Sequence, residues 1–243
     1  MMDDTMFRID LLDDMRWSPL WQRYYESATP FDPVTPHTLH CLVPVPGRSG
    51  TLLFTNEGVF YSPLSAKKTL QQFAAAHCFP DPQILAKSLK EAGCFGQYLF
   101  PFVCPYFTLF PLEGKDRTLW LNPLEIQTIK KFQDSYYAEM IHAPSLVLPI
   151  HRRRVIQHAE NATLILATMS RGQFHFQKKG KSPFDYLAFP DTPFGNLLRM
   201  RSSLQQFRTP IGKLNRLYNQ AYTLHHCSRF ITDPTELKNV RWV

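Results

Sequence analysis

Twenty prolines in 243 residues set the scale of what this chain can build. Each one fixes φ and removes a backbone donor, so it ends a helix or sits at a strand edge. Most of them fall between short apolar runs, which predicts a strand-rich fold with short helices. Trp17, Leu20, Trp21 and Tyr24 recur at helical spacing within 7–25. A connector through Pro30, Pro33 and Pro36 follows. Thr51–Thr55 and Val59–Ser62 flank Asn56-Glu57-Gly58 and predict a hairpin, with Gly58 supplying a positive φ.

The spacing of Leu64, Leu70, Phe73 and Ala74 predicts a helix over 64–77, ended by Pro80 and Pro82. A second short helix over 84–91 closes at Gly93. The aromatic stretch 98–112, cut by Pro101, Pro105 and Pro111, reads as one or two buried strands, and Leu119-Trp120-Leu121 as another. Ile126, Ile129, Phe132, Tyr136 and Tyr137 predict a helix over 124–140, and 146–150 a strand running into a loop at Arg152-Arg153-Arg154. A second hairpin is expected from Thr163–Met169 and Gln173–Gln177 about Ser170-Arg171-Gly172. Thr192-Pro193 is a helix start for 194–207, and Leu214, Leu217, Tyr218, Ala221 and Leu224 mark a last amphipathic helix. The fold class expected is α+β, with antiparallel hairpins and several packed helices.

Hydrophobic residues make up 44% of the chain, including 19 Phe and 10 Tyr, enough for a sizeable core. No apolar run approaches the ~20 residues of a membrane span. The acidic start over 1–14 lacks the pattern of a signal peptide, so a cytoplasmic protein with no membrane association is expected. Five cysteines without compact spacing fit a reducing compartment, and Cys78, Cys94 and Cys104 read as buried free thiols.

Charge is divided unevenly. Residues 1–121 hold 10 Lys and Arg against 12 Asp and Glu, whereas 122–243 hold 17 against 8. Clustered cations raise the local potential and gain from releasing phosphate counterions, so the second half points to nucleic acid. Arg152, Arg153 and Arg154, with Arg171 at the expected turn and Lys178, Lys179 and Lys181 beyond it, would line one rim of a sheet. A β-ribbon carrying such residues can enter a DNA groove. Arg201 and Arg208 read equally as phosphate contacts or as core-edge residues with extended stems.

No catalytic set emerges. There is no Gly-x-Ser-x-Gly elbow and no phosphate-binding Gly-rich loop. His40-Cys41, His77-Cys78 and His226-Cys227 carry residue types that ligate zinc. Neighbours on a strand face opposite ways, so such dipeptides chelate poorly, and neither a metal nor a cofactor is expected.

The run from Glu57 through Val59, Tyr61, Ser62 and Pro63 to Leu64 resembles the Ser-Pro-Leu entry of the competence transcription factor (ComK) family. Phe100-Pro101-Phe102-Val103, Tyr106 to Pro111 and Leu119-Trp120-Leu121 resemble that family's core strands in order. The expected 163–176 hairpin and the 191–207 helix follow in the same order. Leu112 stands where the family has Thr after its Phe-Pro pair. The resemblance covers roughly 51–210, giving an acidic, aromatic N-terminal extension (1–45), a core domain (46–212) and a C-terminal helix and tail (213–243). It implies a transcriptional activator of genetic competence that binds AT-rich double-stranded DNA through the minor groove as a homo-oligomer. The expected function is thus a non-enzymatic DNA-binding regulator. The alternatives are an interaction module docking through Trp17, Trp21 and Tyr24 with a basic face for an acidic partner, and a metal-dependent nuclease.

Overall fold

The computed structural model describes residues 11–93, 100–112, 117–173 and 180–227. The first half of the chain supplies β1 (Leu11–Leu12), α1 (Pro19–Ser27), β2 (Thr29–Pro30), β3 (Leu39–Pro44), β4 (Thr51–Thr55), β5 (Gly58–Ser62), α2 (Ala66–Ala76) and α3 (Pro82–Ala92). Then come β6 (Phe102–Val103), β7 (Thr108–Pro111), β8 (Trp120–Leu121), β9 (Ile126–Phe132), β10 (Ser135–Met140) and β11 (Ser145–Leu148). The helices α4 (Arg152–Gln173), α5 (Pro193–Arg199) and α6 (Lys213–Cys227) complete an α+β architecture.

Seven strands form one sheet in the order β2-β5-β4-β3-β8-β7-β6, and four form another, β1-β11-β10-β9. Pairing is antiparallel except for β1 with β11 and β2 with β5. All six residues of β3 are buried because it lies inside its sheet with both faces covered. Cys41 and Val43 enter a core that also takes Ile129, Leu146 and Leu148 from the smaller sheet. Leu39 and Leu42 face a second core under α2, against Leu70 and Phe73. The β4–β5 hairpin forms as expected, with Gly58 at φ 143. Gly93 closes α3 at φ 68, and Thr192 caps α5 by accepting from Gly195 N. That last helix is shorter than expected, ending at Arg199 and giving way to a 3-10 turn at Ser202–Leu204.

Four expectations are overturned. The 163–177 hairpin does not form: Arg152–Gln173 is one 22-residue helix, α4, and residues 174–179 lie outside the described segments. Positions 162–172 are buried without a break, so no polar face marks the helical period. Thr163 and Thr168 donate their hydroxyls to the carbonyls of Ala159 and Leu164, each at 2.7 Å. Leaving either hydroxyl unpaired in the core would cost about 1–3 kcal/mol, so the bond to the preceding turn lets Thr sit inside a helix. The loop expected at Arg152–Arg154 is likewise the first turn of α4.

The helix expected over 124–140 is instead the β9–β10 ribbon, whose register pairs Phe132 with Ser135. Gln133, at φ 53, makes the tight reversal that breaks a helix. Cys41 and Cys104 are buried, and burial pushes the Cys104 thiol up to about 11. Cys78 is exposed rather than buried, because it leaves α2 in a left-handed turn at φ 52. Cys94 lies outside the described residues. No described helix is long and apolar enough to cross a membrane.

The expected boundaries at 45/46 and 212/213 do not coincide with breaks in packing. Leu12 and Trp21 join the largest core, β3 is interior to its sheet, and Leu214 of α6 packs with Leu85 and Ile165. Ser18 accepts from Trp21 N, and the Trp21 indole donates to Asp13 O at 2.6 Å. Trp21 is wholly buried, which removes it from any aromatic docking face, whereas Trp17 is 38% exposed under Arg48. Trp21→Ala is expected to cost about 3–5 kcal/mol in urea denaturation. A loss below about 1 kcal/mol would mean that the N-terminal segment is appended to the core rather than built into it.

Candidate nucleic-acid interface

The last strand of the smaller sheet leads directly into the basic cluster. After β11 the chain turns through Pro149 and Ile150, and the His151 carbonyl accepts from Arg154 N at 2.9 Å and Val155 N at 3.2 Å to start α4. Val155, Ala159 and Ala162 anchor this end of the helix in the core. Arg152, Arg153 and Arg154 therefore stand exposed in its first turn, which holds no acidic residue. That is the positive end of the helix dipole, where each cation costs about 0.3–1 kcal/mol and an anion is favoured.

A groove of ≈ 630 Å³ opens beside this turn, lined by Tyr136, Arg152, Arg153, Gln157, Glu160 and Arg201 among others. Glu160 accepts from Arg201 Nε at 2.6 Å and from the Ser203 hydroxyl, so the Arg201 charge is largely met within the protein. Arg152 and Arg153 keep theirs at the rim. The Tyr136 ring meets His151 edge-on at 5.9 Å, and Tyr136 lies opposite Lys131 across the ribbon. Directly paired residues share a face, so the ribbon extends the basic surface from Arg153 toward its tip. Lys130, on the other face, is bound to Glu139 at 2.7 Å, which raises its pKa. Phe132 at the tip is 46% exposed.

The other expected contacts do not gather here. Arg171 sits at the far end of α4, about 28 Å from Arg152 along the axis at 1.5 Å per residue. It is 8% exposed, donates to the Thr209 carbonyl and lies 3.6 Å over the Phe207 ring. Burial lowers its pKa, against a smaller opposing effect of Tyr186. Arg171 is thus an internal tie between α4 and the segment after α5, not a groove contact. Lys181 is exposed beyond α4, and Lys178 and Lys179 lie outside the described residues. Arg208 is exposed. Sequence reasoning missed Tyr136, which lines the groove with Arg153, and Lys131, which the β9–β10 register sets opposite Tyr136. The described residues able to hold a metal lie elsewhere: His40, Glu125 and His142 bring ligand atoms within 4.8 Å of one another. Comparison with known proteins finds no matching family model, no matching curated protein and no matching solved structure.

The two ends of α4 should answer mutation in opposite ways. Arg153→Glu is expected to leave stability unchanged or raise it by about 0.3–1 kcal/mol, as an anion replaces a cation at the helix start. Arg171→Ala is expected to cost about 2–3 kcal/mol by stripping the Thr209 carbonyl of its donor and Phe207 of its cation. Parallel urea titrations read both, and a destabilised Arg153→Glu variant would assign Arg153 to the fold instead of the surface.

Proposed function

We propose that this chain is a DNA-binding transcriptional regulator of the competence type that grips the phosphate backbone with the first turn of α4. One observation carries the reading: Arg152 and Arg153 stand exposed at the positive end of a 22-residue helix, with no acidic residue in that turn. A helix start already attracts anions, and guanidinium forks add paired hydrogen bonds suited to phosphate oxygens. An arrangement that costs the free protein stability is relieved when a polyanion arrives. The uneven charge of the two halves favours the same partner.

The ribbon in this reading is β9–β10, not the expected 163–177 segment. It offers Lys131 for the backbone and the half-exposed Phe132 as an apolar wedge. Minor-groove proteins insert such wedges between base steps, and TA is among the pyrimidine–purine steps that kink most easily. Competence as the biological setting, AT-rich promoters and homo-oligomeric binding are carried by the family resemblance alone.

The test is fluorescence anisotropy of full-length protein on AT-rich and GC-rich duplexes across a salt series. The reading expects affinity to fall steeply with salt and to prefer the AT-rich duplex. Arg153→Ala should weaken binding to both and flatten the slope by about 1, while Phe132→Ala narrows the AT preference and leaves the slope alone. Weak, salt-insensitive binding to both duplexes would sink the proposal.

A further inference from the structure

A second site lies where the two sheets meet. The β3–β4 register pairs Leu39 with Thr55 and Cys41 with Phe54, leaving His40 as an extra, unpaired residue. Such a bulge turns a side chain out of the regular alternation. His40 is only 4% exposed, yet among the described residues neither of its ring nitrogens has an aligned hydrogen-bond partner. A buried imidazole lacking both partners costs about as much as two missing hydrogen bonds and calls for a physical reason. Its Nδ1 is 3.2 Å from Glu125 Oε2, close enough for attraction but without the alignment of a hydrogen bond. On the other side, His142 Nδ1 is 2.8 Å from the same oxygen. One carboxylate oxygen thus sits between two imidazole nitrogens.

We propose that His40, Glu125 and His142 bind a divalent transition-metal ion, with Zn²⁺ the best fit, and that this ion pins the seven-stranded sheet to the four-stranded one. Zinc held by nitrogen at about 2.0–2.1 Å and carboxylate oxygen at about 2.0–2.2 Å sets its ligands about 3.3 Å apart. The His40 separation, 3.2 Å, already lies close to that value, and the exposed His142 imidazole, at 2.8 Å, needs to move back by about half an ångström to admit the ion. The donors also choose the metal: two imidazoles and one carboxylate suit Zn²⁺, Fe²⁺ or Co²⁺, whereas Ca²⁺ and Mg²⁺ take oxygen shells.

The backbone holds the donors in place before any ion arrives. Asn122 N donates to His40 O at 2.9 Å and its side-chain amide to Leu39 O at 3.3 Å, which locks β3 to the turn carrying Glu125. Ile141 N donates to Glu125 O at 2.8 Å, which fixes the residue before His142. Burial pushes the Glu125 carboxyl up, but the flanking imidazoles pull it further down. Cys41 is no fourth ligand: it lies in the core, and burial next to the Glu125 charge pushes its thiol well above the ordinary range. The His142 side chain is 63% exposed beside a cleft of ≈ 330 Å³, leaving room for water at the open position.

Tag-free protein, stripped with chelator, is titrated with ZnCl₂ by calorimetry and by thermal unfolding. One ion per chain is expected, with Tm raised by about 5–10 °C at about 100 times Kd. Co²⁺ in place of zinc should give the intense visible bands of a four- or five-coordinate ion. His142→Ala removes an exposed ligand without opening the core, and is expected to lose about tenfold or more in affinity while its unliganded Tm falls only slightly, by the loss of the contact with Glu125. The adjacent pair His225 and His226 on α6 is the competing place for an ion, so His225→Ala/His226→Ala should keep the full response. No saturable binding, or a response that survives His142→Ala and vanishes in the α6 variant, would overturn the assignment.

Discussion

Helix α4 is the part on which the rest leans, because it is buried along most of its length and its two ends do different work. Its first half contributes Val155, Ala159 and Ala162 to the core shared by both sheets, and its second half contributes Ile165, Leu166 and Met169 to the core under α3 and α6. A helix covered on every side cannot rotate or slide without opening one of these clusters. Its first turn is therefore held at a fixed place and angle, and the arginines there are presented by a rigid support. At the other end the same rigidity turns Arg171 inward, where Thr209 and Phe207 use its charge and its flat face. Polar residues run the length of this helix, yet among its described residues only those of the first turn are fully exposed to a partner.

That division explains which parts of the chain were legible. The β4–β5 hairpin was readable from its Gly58 turn, and α2, α3 and α6 because each has one wet face, so the apolar residues recur at the helical period. The burial of 162–172 erased that period from α4. What remained was a β-branched apolar run, Thr163-Leu164-Ile165-Leu166-Ala167-Thr168, followed closely by Ser-Arg-Gly, and its local preference is for a strand and turn. Tertiary burial, with hydroxyls bonded to the preceding turn, outweighed that preference. The opposite error arose at 126–140. There Ile126, Ile129 and Phe132 fall three apart by coincidence across a strand that is buried only near its start, and the Gln133-Asp134 turn carries no glycine to announce it.

The candidate sites divide in the same way. Three adjacent arginines are visible in any reading, but which cations join them is set by strand register, and no local pattern encodes that. Tyr136 lines the groove because β10 pairs with β11, whose end leads into α4, and the β9–β10 register then sets Lys131 opposite Tyr136. The cluster at the sheet junction was harder still. Its members lie 85 and 17 positions apart in sequence order, and the dipeptide His40-Cys41 pointed the wrong way. The argument that strand neighbours diverge was correct for Cys41, which goes to the core. It also hid His40, because a bulge sends that imidazole toward a turn and a strand end that the sequence does not connect to it.

Stability and binding are arranged against each other at the groove and together at the junction. Two guanidinium groups at a helix start oppose folding by about 1–2 kcal/mol in sum, a cost the buried half of α4 absorbs many times over. Glu160 answers Arg201, and among the described residues no carboxylate answers Arg152 or Arg153, so their charge points outward. At the junction the buried His40 ring, whose nitrogens make no aligned hydrogen bond among the described residues, is also a cost, but its remedy lies between the sheets rather than at the surface. An ion there would stiffen the connection from β3 through the Glu125 turn into β9, and β9 with β10 forms the ribbon whose Tyr136 lines the groove. The two proposed sites share that ribbon as their physical link.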